Sequence, residues 1–393
     1  MFDLLKGVRV VDLSTIVLGP YATRMLGDFG AEIIKVEPPA GDLFRAARPG
    51  RPGGDGAGFL NANRNKRSLV LDLARPEART ALLRLVATAD VFVHNMLPAS
   101  ADRLGIGYEA IRAARPDIVY CSARGFGGGE LGNDPAYDDC IQAASGMAAL
   151  NHVAGEPRFV PTILCDKVAG LHLAFAVAAG LAARARTGAG CCIDTPMYEA
   201  MVSFLMVEQL GGESFDPPRG PTGYGRLSSP HRRPYATRDG HIAVMPYTLG
   251  HWRQYFEMVG RADLADDPRV TDAEQRGANI DMLYEIIALE SPVRTTAEWI
   301  VALRAAGIPC APVNTMDDLL ADPHLASVGM FRPLDHPQEG RLRSVRSPFL
   351  VRGQEESPDR PAPALGADGD RILQEIGLTP EERRALPQAG VRA

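Results

Sequence analysis

The chain has 393 residues, of which 46% are hydrophobic and 23% are charged, and its formal net charge is −6. This length is about two to three times that of a typical domain, so we expect two domains or one enlarged domain with a sizeable core. The acidic balance excludes the basic surface that nucleic-acid-binding proteins use, and we expect no nucleic-acid partner.

Short apolar runs alternate with helical patterns through the first 125 residues. Strands are predicted at Val8–Val11, Glu32–Val36, Ser68–Leu71, Val91–Val93 and Asp117–Cys121, and helices at Ala22–Phe29 and Pro76–Ala87. Strands that alternate with helices imply βαβ crossovers and a parallel sheet. Wholly apolar strand segments such as Ile33-Ile34 are typical of a sheet covered on both faces. We therefore predict an α/β fold with a Rossmann-like parallel sheet.

The remaining chain divides at a segment rich in Gly, Pro, Arg and Ser. Helices are predicted at Asp166–Ala185, Tyr198–Leu210, 251–260, 275–288, 295–306 and near 369–376, and strands at Cys191–Ile193, in a hairpin over 232–244 and within 330–350. We predict a large domain from 1–210 with 325–393, a linker at 211–231, and a smaller inserted α/β domain at 232–320.

The longest apolar run indicates a buried helix. It extends from Val168 to Ala183, contains His172, and falls short of the ~20 residues that span a bilayer. The N-terminus lacks the apolar segment of a signal peptide. The six cysteines form no CxxC pair and no Cys/His cluster, which is typical of reduced thiols. We expect a cytoplasmic protein without a membrane segment or a metal site.

The common nucleotide and hydrolase motifs are absent. After the first strand Gly19 stands alone and is followed by Pro20, so GxGxxG is missing, which argues against an ordinary nicotinamide dehydrogenase. GxSxG, HExxH and GxxxxGK[ST] are also absent. The glycine cluster at 125–129 is interpreted as a flexible loop.

Asp166 is the one charge that stands out, because it begins a strongly apolar helix. It has two interpretations: an N-cap that accepts backbone N–H bonds, or a carboxylate nucleophile. An ordinary aspartate is ionised at neutral pH and needs no partner base. The adjacent Cys165 is more typical of a small core residue than of a nucleophile.

Eight blocks, in order along nearly the whole chain, resemble the class III CoA-transferases, the group of formyl-CoA transferase and carnitine CoA-transferase. They are GVRVVDLSTIVLGPYATRMLGDFGAEIIKVEPPAGDLFR (7–45), NKRSLVLDL (65–73), ADVFVHNMLPASADRLGIGYEAI (89–111), PDIVYCSARGFG (116–127), PAYDDCIQAASG (135–146), LCDKVAG (164–170), RPYATRDG (233–240) and GIPCAPV (307–313).

The resemblance implies a function and a catalytic residue. The position of Asp166 is that of the family's nucleophile, which attacks an acyl-CoA thioester so that CoA passes to a carboxylic acid. Coenzyme A is then part of the substrate, no cofactor is bound permanently, and no metal is needed. The resemblance also implies an interlocked homodimer and a mobile glycine-rich shield, for which Gly223, Gly225 and the glycines at 127–129 are candidates.

Residues that contact CoA are likewise implied only by resemblance. Ile16, Val17 and Leu18 match the loop beside the thioester. Leu71, Ala74, Asn95 and Met96 belong to segments that match those around the nucleotide, and Arg75 follows the first of them. Arg103 matches a basic residue near the phosphates, and Tyr137 matches a further CoA contact. Some family members have Gln at the position that Val17 occupies here. The absence of that Gln argues against formyl-CoA or oxalate as substrate. Basic residues that some members have at Ala74 and Pro135 are missing as well.

Two alternatives to a CoA-transferase remain open. The related α-methylacyl-CoA racemases use a His-Asp pair, and here Tyr137 stands at the position of that His. A protein that binds CoA without turnover is the second alternative. For a transferase, succinyl-CoA is the expected donor, and Arg233, Tyr235 and Tyr247 are candidates for binding a second carboxylate.

Overall fold

The structure, a computed structural model, describes residues 1–153 and 155–386. The chain forms two compact units, one from Met1–Leu205 with the chain from Val328 onward, and one from Met206–Ser327. Two buried apolar clusters lie in the larger unit and one lies in the smaller unit. Each unit therefore has its own core.

A six-stranded parallel sheet organises the larger unit. Its strands are β1 (Arg9–Asp12), β2 (Glu32–Glu37), β3 (Lys66–Val70), β4 (Val91–His94), β5 (Val119–Arg124) and β6 (Cys191–Pro196), in the order β3-β2-β1-β4-β5-β6. All five pairings are parallel, so the predicted parallel sheet is confirmed. The strand order reverses between β1 and β4, and in sheets of this kind ligands bind at the carboxyl ends of the strands beside such a reversal.

Helices cover both faces of this sheet. Those before residue 210 are α1 (Leu18–Asp28), α2 (Ala57–Ala62), α3 (Pro76–Val86), α4 (Pro98–Arg103), α5 (Tyr108–Ala114), α6 (Asp138–Ala144), α7 (Met147–Leu150), α8 (Cys165–Thr187) and α9 (Met197–Gln209). One apolar cluster joins α3 and α5 to Phe92 and Tyr120 on one face. The other joins α1, α8 and α9 to Val91 and Val119 on the opposite face. This two-sided cover explains why the central segments Val10-Val11, Ile33-Ile34 and Val91–Val93 are apolar and fully buried.

Helix α8 is less buried than its apolar sequence predicted. It is long and apolar enough to cross a membrane by length and composition, and 33% of its most apolar window is buried. Leu171 and Phe175 are 50% and 75% exposed and, four residues apart, share a face. The prediction of a buried helix was therefore wrong for this face. Apolar content alone does not show which side of a helix is packed against the rest of its own chain.

The smaller unit combines a three-stranded antiparallel sheet with helices. Its elements are β7 (Tyr235–Ala236), β8 (His241–Val244), α10 (Leu249–Met258), α11 (Pro268–Thr271), α12 (Ala273–Ala278), α13 (Ile280–Glu290), α14 (Thr296–Ala305), β9 (Cys310–Pro312), α15 (Met316–Ala321) and α16 (Pro323–Ser327). The helix predicted over 275–288 is divided at Asn279, which ends α12 and precedes α13.

The C-terminal chain returns to the large sheet. It forms a hairpin of β10 (Phe331–His336) and β11 (Gly340–Val345), then α17 (Gly369–Glu375) and α18 (Pro380–Ala385), the last of which the sequence did not predict. Glu375 accepts a hydrogen bond of 2.8 Å from Arg67 of β3, the edge strand. Arg360 and Asn65 exchange two further bonds. These contacts cover the edge that β3 would otherwise expose.

Candidate functional site

A cavity of about 250 Å³ opens at the reversal point of the large sheet. Residues that follow β1, β4 and β5 meet there with the first turns of α8 and α9. The lining residues are Thr15, Ile16, Val17, Leu18, Leu43, Asn95, Leu97, Ala123, Arg124, Gly125, Pro135, Ala136, Tyr137, Asp166 and Met197. The predicted thioester loop, Asn95, Tyr137 and Asp166 are thus brought together in one place.

The turn between β1 and α1 has a constrained backbone. Ile16 has a φ of 70°, a conformation that is strained for a β-branched residue. Its N–H donates to the two Asp42 carboxylate oxygens at 3.1 and 3.2 Å, and these contacts help to hold the conformation. Gly19 then passes so close to Ser14 that a Cβ would lie 2.1 Å from the Ser14 Cβ. Glycine here serves the close packing of the turn, whereas a dinucleotide fingerprint would have required further glycines.

Asn95 joins this turn to the neighbouring strand. Its Oδ1 accepts from the Thr15 N–H at 3.0 Å, and its Nδ2 donates to the Thr15 carbonyl at 2.9 Å. Because β1 and β4 are adjacent in the sheet, both residues emerge at the same edge. The two bonds fix the cavity wall on both sides of the reversal point.

Beneath the turn lies a buried network of charges. Lys66 Nζ is 3.1 Å from the Asp12 carboxylate, and Lys35 Nζ is 2.9 Å from the Asp42 carboxylate. Lys35 also donates to the Ser14 carbonyl at 2.8 Å. All four charged side chains are fully buried. Each buried charge therefore has a partner, as burial requires.

The pKa values of Asp12 and Lys66 respond differently to burial. Burial acts to raise the pKa of Asp12, but Lys66, Lys35 and hydrogen bonds from Ser14 and Thr23 outweigh it, so the pKa lies below its ordinary value. Burial is the main cause that lowers the pKa of Lys66 to about 8, although Asp12 opposes the shift. Asp12 is therefore an ionised structural carboxylate.

Asp166 lies in the first turn of α8 and does not cap the helix. The N-cap is Leu164, so the N-cap interpretation of Asp166 was wrong. Within residues 1–153 and 155–386, the Asp166 carboxylate accepts no hydrogen bond and forms no ion pair. Burial, followed by the negative charge of Asp138, raises its pKa to about 7. The expectation that Asp166 is fully ionised at neutral pH is corrected accordingly, because an ordinary pKa assumes full solvation.

Asp138 is a second carboxylate near the nucleophile candidate. It begins α6, is buried, and its Oδ2 accepts the backbone N–H of Asp166 at 3.0 Å. Its Oδ1 accepts from Gln142 at 2.6 Å. These bonds position Asp138 so that its charge opposes ionisation of Asp166.

The other predicted CoA contacts lie outside the cavity. Leu71 is buried in an apolar cluster, and Met96 packs against the same cluster. Ala74, Arg75 and Arg103 are exposed. Leu71, Ala74 and Arg75 follow β3, and Met96 follows β4, so these residues lie on the carboxyl side of the sheet.

Arg124 and Asp138 are the informative residues that sequence reasoning did not select. Arg124 ends β5 and lines the cavity, and its signal in the sequence was a charge at the end of an apolar strand. Asp138 follows Tyr137, at the position of the Asp in the His-Asp pair of the racemases. Tyr137 itself is 69% exposed.

Cys165 and the histidine of the large sheet are not reactive groups here. Burial, with nearby carboxylates, raises the pKa of the Cys165 thiol to about 12, so the thiolate is scarce. Burial lowers the pKa of His94 to about 4. Its Nδ1 accepts the Met96 N–H at 3.1 Å, which leaves Nε2 to bond the Tyr120 hydroxyl at 2.6 Å.

The glycine candidates and the second-carboxylate candidates lie in local structure of their own unit. Gly127 N–H donates to Glu199 at 2.9 Å in the larger unit, and Gly223 N–H donates to the Gln209 carbonyl at 2.7 Å in the smaller one.

Arg233 and Tyr235 line a pocket of about 210 Å³ with Arg232 and Tyr284. Tyr247 is exposed, and the Arg226 guanidinium lies 5.6 Å from its ring centroid. In the part of the chain that the structure describes, no group of three His, Cys, Asp or Glu side chains is arranged to hold a metal ion.

Comparison with known proteins gives a consistent result along the chain. The family model of CoA-transferase family III matches residues 5–369. A succinyl-CoA:mesaconate CoA-transferase of Haloarcula hispanica is 35% identical over 95% of this chain and 96% of its own length. The human succinyl-CoA:glutarate CoA-transferase is 31% identical over 95% of this chain and 86% of its own. A formyl-CoA:oxalate CoA-transferase of Streptomyces avermitilis is 29% identical over the full length of both chains.

Solved structures show the same architecture. A crystal structure of the protein Rv3272 from Mycobacterium tuberculosis has a TM-score of 0.83 and 29% identity, over 94% of this chain and 99% of that one. A CAIB/BAIF family protein from Brucella suis has a TM-score of 0.81 and 28% identity, over 96% of this chain and 100% of that one.

Proposed function

The chain belongs to CoA-transferase family III and is a CoA-transferase, and from that premise we propose that it transfers CoA by covalent catalysis on the Asp166 carboxylate. The observation that carries the proposal is the state of Asp166 in the cavity. Its carboxylate is half-buried and has no cationic or hydrogen-bonding partner in the described chain, and burial raises its pKa to about 7. A carboxylate that served only the fold would be paired, as Asp12 is.

The proposed reaction exchanges one thioester for another. An Asp166 oxygen attacks the thioester carbonyl of the donor, the C–S bond breaks, and the products are CoA thiolate and an aspartyl–acyl anhydride. The thiolate then attacks the aspartyl carbonyl, which gives an aspartyl-CoA thioester and the free donor acid. The acceptor carboxylate attacks this thioester to form a second anhydride, and CoA thiolate attacks its acyl carbon. In the alternative route, the acceptor carboxylate attacks the aspartyl carbonyl of the first anhydride and releases the donor acid. CoA thiolate then attacks the acceptor acyl carbon of the new anhydride, which gives the product thioester and frees Asp166.

The surroundings of Asp166 suit this chemistry. A carboxylate with a raised pKa is more basic, so its attack on a thioester with a thiolate leaving group is less unfavourable. The positive end of the α8 dipole lies beside Asp166 and stabilises the oxyanion that forms when the thioester carbonyl is attacked. Val17, Leu18 and Met197 supply apolar walls, which limit hydrolysis of the anhydride.

We propose that CoA extends from the cavity along the carboxyl edge of the sheet. The thioester then lies against Ile16, Val17 and Leu18, with Asn95 and Tyr137 beside it. The nucleotide lies toward Leu71, Ala74, Arg75, Met96 and Arg103. Support comes from the order β3-β2-β1-β4, which puts the segments after β3 and β4 on the same side of the sheet.

The proposed substrates are succinyl-CoA as donor and a short dicarboxylic acid as acceptor. Two relatives that match most of this chain are named for succinyl-CoA, with mesaconate in one and glutarate in the other. Both acceptors are dicarboxylates. The apolar Val17 in the cavity supports the same choice over formyl-CoA and oxalate.

We further propose a homodimer that works in the cytoplasm. The exposed side of α8 carries Leu171, Phe175 and small alanines, and a second copy of the chain would remove this apolar face from water. The six cysteines are free, which suits a reducing compartment. Sedimentation at micromolar concentration should give twice the mass of the chain, and Phe175→Glu should weaken the association. A monomeric wild-type protein would contradict the dimer.

The covalent mechanism is tested by trapping the activated aspartate. The protein is mixed with succinyl-CoA, treated with hydroxylamine and digested, and the peptides are analysed by mass spectrometry. Hydroxylamine converts an aspartyl anhydride or thioester to a hydroxamate, which we expect on the Asp166 peptide. Asp166→Asn should give none, whereas Asp139→Asn, which removes an exposed neighbouring acid, should be labelled like wild type. An unlabelled wild-type peptide with every acyl-CoA donor would refute the mechanism.

A further inference from the structure

Arg124 is a cation in the cavity that takes part in none of the proposed covalent steps. It is the last residue of β5, and among the described lining residues it is the one with a positive charge. No ion pair joins it to Asp166 in the described chain. The guanidinium therefore does not stabilise the nucleophile, whose pKa is raised.

The bonding of Arg124 is incomplete although its side chain is only 12% exposed. Its Nε is buried and has no hydrogen-bond partner within the described residues. One Nη lies 3.3 Å from Asp194, a carboxylate that is itself 49% exposed and already accepts from Ser122. By contrast, Arg45 and Arg184 each bond two carboxylates at 2.7–2.9 Å.

Apart from Asp194, the groups around Arg124 do not neutralise its charge. His94 is neutral because burial lowers its pKa to about 4, and both of its ring nitrogens are already bonded. The other lining residues next to Arg124 in the chain, Ala123 and Gly125, carry no charge. A guanidinium with unused donors in a cavity suits a carboxylate or a phosphate, whose oxygens match its planar fork.

We propose that Arg124 binds an anionic group of the acyl-CoA donor, either the distal carboxylate of a dicarboxylic acyl chain or a CoA phosphate. The proposal rests on the proposed function, since it takes acyl-CoA as the ligand of this cavity. The distal carboxylate of a succinyl group lies only a short chain away from the carbonyl that Asp166 attacks. An anchor that shares the cavity with Asp166 therefore selects dicarboxylic over monocarboxylic acyl groups.

The test compares three donors in hydroxamate formation at Asp166. Succinyl-CoA has both anionic groups, butyryl-CoA lacks the distal carboxylate, and succinyl-pantetheine lacks the phosphates. Arg124→Gln should reduce the second-order rate constant of Asp166 labelling about ten- to hundredfold for both succinyl donors and leave that for butyryl-CoA unchanged. Loss with both CoA esters but not with succinyl-pantetheine would assign Arg124 to a phosphate. Equal loss with all three donors, or no loss, would overturn the proposal.

Controls separate binding from folding and from the covalent step. Arg124→Lys keeps the charge without the fork and should recover part of the loss, and Asp194→Asn should keep the preference for succinyl-CoA over butyryl-CoA. Equilibrium binding of both CoA esters to Asp166→Asn, with and without Arg124→Gln, makes the same comparison without catalysis. A failure of the aspartyl mechanism therefore leaves this second measurement able to support or overturn the role of Arg124.

Discussion

Asp12 and Asp166 are two carboxylates on the same unit, near the same edge of one sheet, and their environments have opposite effects on their charge. Asp12 is fully buried at 3.1 Å from Lys66, and its pKa lies below the ordinary value. Asp166 is half-buried near Asp138, has no cationic partner among the residues that the structure describes, and its pKa is raised to about 7. Burial acts on both, so the neighbouring charge decides the direction.

The difference in environment goes with a difference in contacts: the Asp12 carboxylate bonds to its own unit, and the Asp166 carboxylate does not within the described residues. Asp12 accepts from the Ser14 N–H at 2.9 Å and from Thr23 at 2.6 Å, and so helps to hold the turn that forms one wall of the cavity. Asp166 faces the cavity with both oxygens unused in the described structure. The paired Asp12 carboxylate supports the turn, whereas the unpaired Asp166 carboxylate is the nucleophile that we propose.

Asp166→Asn should have the largest effect on activity. It should not destabilise the fold, as a change at the Asp12–Lys66 pair is expected to do. Without the nucleophile, we expect kcat/KM to fall by at least about 10³-fold. The folded carboxylate has a raised pKa, so between about pH 4 and 7 the folded state holds more protons than the unfolded state and stability declines as pH rises. Asn lacks this titration.

The expected midpoint of urea unfolding for Asp166→Asn at pH 8 is therefore equal to that of wild type or higher. Transfer assays and unfolding curves on the same preparations check both points. A variant that is destabilised by several kcal/mol would show that Asp166 supports the fold, and the contrast with Asp12 would be lost.

Lys66→Met should show the reverse pattern, because its main effect should be to lower the free energy of unfolding. It leaves the Asp12 charge buried with only Lys35 nearby and also removes hydrogen bonds to Asn63 and Pro20. Removing one partner of a buried pair destabilises by about 3–5 kcal/mol. The double variant Asp12→Asn, Lys66→Met should regain much of this loss. Urea unfolding measures both, and a double variant no better than Lys66→Met would argue against the pair.

Asp138→Asn should sharpen the comparison by lowering the pKa of Asp166. In wild type, kcat/KM should rise with pH through about 7, since only the ionised carboxylate attacks. Asp138 is the second cause of the raised pKa, so its neutralisation should move the midpoint to lower pH, by up to about one unit. Asp139→Asn is the matched control, and CoA phosphates titrate equally in all three proteins. A midpoint that stays or rises would show that Asp138 acts only through its hydrogen bond.

The sequence predicted those features whose signals are local. Strand and helix periods predicted the parallel sheet, and a charge at the start of an apolar run drew attention to Asp166. The raised pKa of Asp166 was not predictable, because the fold creates both of its causes: the burial of the carboxylate and the approach of Asp138, which lies 28 residues earlier. Arg124 was missed for the same reason, since a charge after a strand reveals no cavity until neighbouring strands are in order. The predicted domain bounds and the nucleotide contacts stay predictions.

Asn95→Ala should give the smallest effect, because Asn95 supports the same turn as Asp12 but from the exposed side. The change removes two hydrogen bonds to Thr15, of 2.9 and 3.0 Å, each worth about 1 kcal/mol. The turn should still form, since Asp12 and Asp42 hold it from beneath. We therefore expect the KM for the acyl-CoA donor to rise a few-fold to about tenfold, while kcat changes little.

Steady-state kinetics with varied donor checks this split, and Asn133→Ala, at an exposed asparagine, is the control. A fall in kcat with an unchanged KM would place Asn95 in the chemical step. Asn95 would then act on the transition state as well as support the turn through its two bonds to Thr15.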